Sequence, residues 1–196
     1  MLKIYFLSTE IMPFSKTYSL SSFSKELSIM LNNDKNIDIR LSQPKYGYIS
    51  DRRFILREVI RLKDMEFKFN NKEEKINIKS RFIPDSRVQV YFMEHKDYFF
   101  NVPELIYKSR NGRFYTNNLE KFSFFSMGAM HTLQKLCWIP DILVCNDWQL
   151  SLLPLIFKEQ FKEVFPKMKI VFIPHTFNDN YSIKKEAFNS LGMNSK

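Results

Sequence analysis

The sequence predicts an α/β fold, a Rossmann-like doubly wound parallel sheet with a β-hairpin insertion. Three observations predict it. Five short apolar runs recur along the chain, most of them near-continuous, as strands covered on both faces of a parallel sheet read. Helix-like segments with an apolar period of 3.6 lie between them. One stretch has a period of two instead.

The first run, Ile4 to Leu7, leads through a polar loop into a helix-like stretch, Ser21 to Leu31, with Phe23, Leu27, Met30 and Leu31 as its stripe. A buried strand, a loop carrying one lysine (Lys16) and a helix N-terminus together favour a phosphate-bearing ligand. Backbone N–H groups and the helix dipole attract negative charge there, and the ammonium adds to them. In an open parallel sheet such a loop lies beyond the carboxyl ends of the strands, where ligands bind.

The second strand is Ile37 to Leu41. Between Leu62 and Ile83, Met65, Phe67 and Phe69 alternate with polar residues, Asn70-Asn71-Lys72-Glu73-Glu74 intervenes, and Ile76 and Ile78 alternate again. That is a β-hairpin with one solvated face. Val88 to Met93 is the next strand, and Phe122, Phe125, Ala129, Leu133, Leu136 and Cys137 form the stripe of a long helix. Ile142 to Cys145 is a strand, followed by a helix from Leu150 to Phe157, with Asp147 available to cap its start and Pro154 a flaw near its first turn. Ile170 to Ile173 is the last strand.

The 196 residues suit one domain with a sizeable core, and an apolar fraction of 44% with 20 Phe excludes a disordered chain. No run of eighteen apolar residues exists, so no membrane span is expected, and the N-terminus lacks the core of a signal peptide. Cys137 and Cys145 sit in apolar surroundings without metal-ligand spacing. They are expected to be buried thiols of a reducing compartment, which places the protein in the cytoplasm. The net charge of +9 comes from basic residues interleaved with acids, as in Asp51-Arg52-Arg53 and Lys184-Lys185-Glu186, so no nucleic-acid partner is expected. His95 and His131 have no companions at ligand spacing; neither a metal site nor a cofactor is expected.

Five collinear segments carry a family resemblance. Ser8-Thr9-Glu10-Ile11-Met12-Pro13-Phe14 and Lys16-Thr17-Tyr18-Ser19-Leu20 resemble the Ser-Ser/Thr-Glu-x-x-Pro-Phe and Lys-Thr-Gly-Gly-Leu segments of the bacterial glycogen and plant starch synthases. Gln43-Pro44-Lys45-Tyr46-Gly47 resembles their Leu-Pro-Arg-Tyr-Gly, and Val90-Tyr91-Phe92-Met93-Glu94-His95 their Val-Tyr-Phe-Leu-Asp-His. Pro140 to Gln149 resembles Pro-Asp-Ile-x-His-x-His-Asp-Trp-Gln, and Phe172-Ile173-Pro174-His175 falls where the family has Thr-Ile-His-Asn.

The resemblance implies the N-terminal half of a GT-B architecture, occupying residues 1–196, with the C-terminal half absent from this chain. Complete members transfer glucose from ADP-glucose to an α-1,4-glucan with retention of configuration. By that resemblance Lys16 contacts the donor phosphate beside Thr17, His175 contacts the donor glucose, and Asp147 and Glu10 border the cleft. Tyr18 and Ser19 replace two glycines, Asn146 a histidine and Thr176 an asparagine. A tyrosine narrows the loop and disfavours the dihedrals open to glycine. The implied partners are ADP-glucose and an α-glucan, with a separate C-terminal half or self-association beside them. The implied state alone is inactive. The alternative is a non-catalytic glucan-binding or protein-interaction module that has lost the donor site.

Overall fold

The computed structural model describes residues 1–176. The Lys184-Lys185-Glu186 cluster lies outside them. Strand β1 (Leu2–Leu7) is followed by helix α1 (Ser19–Asn32), β2 (Ile37–Pro44), a four-residue helix α2 (Asp51–Phe54) and a two-residue strand β3 (Arg57–Glu58). Then come β4 (Met65–Phe69), β5 (Lys72–Phe82), β6 (Gln89–Glu94), the long helix α3 (Asn118–Leu136), β7 (Ile142–Asn146), α4 (Leu153–Ile156) and β8 (Lys169–Ile173).

The sheet order is β3-β5-β6-β2-β1-β7-β8, and its five strands from β6 to β8 run parallel. In chain order these five read 3-2-1-4-5, the doubly wound arrangement whose strand order reverses beside β1. Tyr5, Phe6, Leu7, Leu41, Val90, Phe92 and Leu143 are buried along the central strands, as the apolar runs predict. The edge strand β8 departs from them. Val171 and Phe172 are exposed, since no strand covers β8's outer edge among the described residues.

The hairpin turns on Asn70 and Asn71 alone, both at positive φ (50° and 60°), the geometry of a two-residue turn matched to strand twist. Lys72 to Glu74, expected in the connection, already pair with β4. The hairpin is also less separate than expected. The second half of β5 pairs antiparallel with β6 and extends the main sheet. Its apolar face, Met65, Phe67 and Phe69, packs on α3, where the rings of Phe67 and Phe69 lie 5.2 and 5.3 Å from that of Phe124. With the sheet on one side and the hairpin on the other, α3 buries 14 of its 19 residues rather than a single stripe. Gly128 permits the approach: a Cβ there would lie 2.7 Å from the Met93 Sδ.

Helix α1 departs from its expected stripe. Met30 is 62% exposed, and the buried face is Leu20, Ser21, Ser24 and Ser28. Serines can face a sheet closely because they are small and their hydroxyls find partners: Ser24 donates to the Ser8 hydroxyl at 2.8 Å, and Ser21 to the Tyr18 carbonyl at 2.6 Å. The helix expected from Leu150 is broken into a 3-10 turn (Trp148–Leu150), α4 with Pro154 in its first turn, and a π turn (Phe157–Phe161). Cys145 is buried and its thiol pushed up by desolvation, whereas Cys137 is exposed at the left-handed C-cap of α3. Both thiols are free.

Candidate functional site

The carboxyl ends of β1, β7 and β8 surround a cavity of about 140 Å³ at the point where the strand order reverses. Glu10 follows β1, Asp147 and Gln149 follow β7, and His175 and Thr176 follow β8; Tyr18, Ser19 and Leu20 open α1 against them. Three residues expected at the cleft, Glu10, Asp147 and His175, therefore meet at one cavity.

Glu10 reaches it already engaged. Its carboxylate accepts the Ser15 hydroxyl at 2.8 Å, the Thr17 N–H at 2.8 Å and the Tyr18 N–H at 2.9 Å. Burial pushes the carboxyl above the usual carboxylate range, and these donors oppose the shift without cancelling it. An internal carboxyl group thus occupies two of the backbone donors expected to cradle a phosphate. The next two N–H groups, of Ser19 and Leu20, have no acceptor among the described residues and belong to the cavity wall. Tyr18 itself is extended (φ −124°, ψ 163°), a conformation open to any residue, so its replacement of glycine costs nothing in the backbone here.

Lys16 and Thr17 sit differently from Glu10. Lys16 is exposed on the loop, outside the cavity wall, with no ion-pair partner among the described residues. Thr17 turns its hydroxyl to the Glu104 carbonyl.

Asp147 does not cap the turn that follows it. Its carboxylate accepts the backbone N–H groups of His175 (3.2 Å) and Thr176 (3.0 Å) and the Thr176 hydroxyl (3.1 Å). Its own backbone sits at φ 65°, ψ 175°, a region that glycine alone visits cheaply, at a cost of about 1–3 kcal/mol. Asp147 is therefore a buried, strained residue that fixes the segment after β8. His175 is exposed, with Phe23 edge-on at 4.5 Å. Its Nε2 lies 3.3 Å from the Asn146 Oδ1. The Asn146 amide is oriented by its other end, which donates from Nδ2 to the Leu7 carbonyl at 2.8 Å. Oδ1 can then only accept, so in the neutral imidazole the tautomer that fits has its proton on Nε2 and leaves Nδ1 as an acceptor.

Two wall residues escaped the sequence reading. Gln149 lines the cavity, and its side-chain Oε1 is buried and unpartnered among the described residues. Only its place in the Asp-Trp-Gln segment marked it. Tyr107 lines the cavity from a distant loop and stacks on Tyr18 at 4.6 Å. No periodicity could have shown that. Trp148 packs edge-on to Tyr107, Phe114 and Phe122, forming an aromatic wall behind the site. His95 and His131 lie away from it, and no group of three or more His, Cys, Asp or Glu among the described residues is placed to hold a metal ion.

Fold and site together define a Rossmann-like domain with one cavity at its topological switch point, lined by the first residues of α1 and by Asp147, Gln149 and His175. A family model described as the starch synthase catalytic domain matches residues 3–196. The glycogen synthase of Pelodictyon phaeoclathratiforme is 33% identical over 191 residues, covering 96% of this chain and 39% of that protein. The glycogen synthase of Chlorobium luteolum is 35% identical over 183 residues, covering 88% and 35%. The catalytic domain of starch synthase IV from Arabidopsis thaliana, bound to ADP and acarbose, matches with a TM-score of 0.80 at 22% identity, covering 98% of this chain and 37% of that one. The chain belongs to the starch synthase catalytic domain family. It spans little more than a third of the length of the relatives it matches.

Proposed function

We propose that this chain forms the N-terminal side of the donor cleft of an ADP-glucose-dependent α-1,4-glucan synthase. The observation that carries the reading is the convergence of Glu10, Asp147 and His175 on one cavity at the switch point. His175 would hold the donor sugar through Nδ1. The Ser19 and Leu20 N–H groups would meet the diphosphate at the start of α1, with the Lys16 ammonium reaching over the loop. Asp147 and Glu10 act as positioning residues, because their carboxylates hold protein N–H groups. Transfer needs the departing diphosphate neutralised, usually the largest electrostatic contribution to such a step. Lys16 is one cation for a diphosphate, so the remaining positive charge would come from a second Rossmann-like half facing this one. These 196 residues alone are expected to bind donor without turning it over, in the cytoplasm.

Calorimetry with ADP-glucose tests this. Binding that weakens about tenfold or more in Lys16→Ala, the loss of one charge-assisted contact, supports the reading. The exposed position of Lys16 keeps that variant's stability within about 0.5 kcal/mol of wild type. Absence of heat with wild type at millimolar ligand overturns it.

One observation favours a second reading, a binding module without donor chemistry: the cavity, at about 140 Å³, is small for a nucleotide sugar. Retention on glycogen without ADP-glucose binding would point there.

A further inference from the structure

Four successive backbone carbonyls on one loop each accept a side-chain donor. Glu104 takes the Thr17 hydroxyl and Leu105 the Tyr18 hydroxyl (2.9 Å), both from the loop before α1. Ile106 takes the Lys121 ammonium (2.6 Å) and Tyr107 the Asn118 amide (2.7 Å), both from α3. The segment is thus a strap fastened at two sides. Its centre is strained: Ile106, a β-branched residue, sits at φ 57°, where such residues are outliers. The strap is therefore held by its tethers against its own backbone preference.

The two sides differ in kind. Lys121 and Asn118 are buried on a helix enclosed by sheet and hairpin. Thr17 and Tyr18 lie on a loop, partly exposed. The Tyr18 ring stacks on Tyr107 at the cavity wall, next to the open N–H groups of Ser19 and Leu20. The cavity left inside, about 140 Å³, is less than half the roughly 300 Å³ at the low end of ligand sites.

We propose that Tyr18 decides which ligand the cleft admits. With the Tyr18 hydroxyl on the Leu105 carbonyl and its ring on Tyr107, the cavity takes a single sugar ring. A sugar nucleotide enters only when that clasp opens and the strap swings on its Lys121 and Asn118 side. This rests on the donor-cleft reading above. A glycine at position 18 has neither ring nor hydroxyl, and glycine is a good residue before a helix, so Tyr18→Gly removes the clasp without harming α1.

Calorimetry of the 196-residue chain with ADP-glucose and with glucose compares wild type, Tyr18→Phe and Tyr18→Gly. A clasp closed about nine-tenths of the time weakens apparent affinity about tenfold, so Tyr18→Gly should bind ADP-glucose about tenfold tighter, with Tyr18→Phe between and glucose changed less than about twofold. Equal ADP-glucose affinity in all three, with Lys16→Ala still weakening it, overturns the clasp and leaves the donor reading standing. Hydrogen exchange of the 106–108 amides gives a ligand-free check. Faster exchange in Tyr18→Phe supports the clasp, and unchanged exchange overturns it. Faster exchange with no ADP-glucose bound by any variant overturns the donor reading and, with it, the ligand that Tyr18 is proposed to admit.

Discussion

The Asp147 carboxylate accepts the backbone N–H of His175 at 3.2 Å, so a strained residue at the end of β7 sets the position of the imidazole beyond β8. Asp147→Ala removes the acceptor of three hydrogen bonds and should destabilise by about 2–4 kcal/mol. Asp147→Gly removes the same acceptor but relieves the positive φ. Glycine ordinarily costs about 0.5–1 kcal/mol more than alanine. Here the glycine variant should be at least as stable as the alanine variant in urea denaturation. A glycine variant weaker by the ordinary amount would show that the backbone at 147 is unstrained.

Glu10 should give a pH signature. Its carboxyl is raised chiefly by burial, so the fold favours the protonated form. Its contribution to stability is then full below the unfolded value of about 4.3 and is lost as pH climbs through the higher folded value. Glu10→Gln is neutral throughout. The stability of wild type relative to Glu10→Gln should fall as pH rises above the unfolded carboxylate range. Denaturation midpoints measured over that rise check it, and a relative stability that rises with pH counts against it.

Lys121 has the opposite slope. The ammonium is buried against the Ile106 carbonyl with no acidic partner among the described residues, and desolvation lowers its pKa from 10.5 to about 8. A lowered folded value means stability is gained as pH rises from about 8 to about 10.5 and is lost as pH falls through 8. The gain is on the order of 3 kcal/mol. Lys121→Met should abolish this slope in thermal melts between those limits. A variant with the wild-type slope would place the titration elsewhere.

Two glycines should rank by what a methyl would strike. At Gly47 a Cβ falls 2.0 Å from the Phe100 carbonyl oxygen, which is backbone and cannot yield. At Gly128 it meets the flexible end of Met93 at 2.7 Å. Gly128→Ala should cost about 1–3 kcal/mol, as overpacking does, and Gly47→Ala more. Equilibrium unfolding of both variants checks the order.

Much of the sheet was legible because its strands are runs of apolar residues with polar loops at their ends. The hairpin was legible from Met65, Phe67 and Phe69, whose alternation matches their burial. The buried face of helix α1 is not legible from periodicity, which counts Met30 as core and passes over Ser21, Ser24 and Ser28, which are buried for their size. Pro154 announced the break in the helix after β7 but not its extent. At the site, residue types were legible and their partners were not. Glu10 finds its donors seven and eight residues on, and Tyr18 finds Leu105 across 87 residues. Only the closed fold brings such pairs together.

Asn146 joins the Leu7 carbonyl of β1 to the imidazole beyond β8 through its two amide ends. The imidazole therefore carries a built-in spectroscopic label. In the neutral imidazole its Nδ1 resonance, distinct from that of the protonated Nε2, reports any hydroxyl that donates to it. Occupancy of the cleft can then be followed on unmodified protein by nitrogen-15 magnetic resonance, with no turnover required.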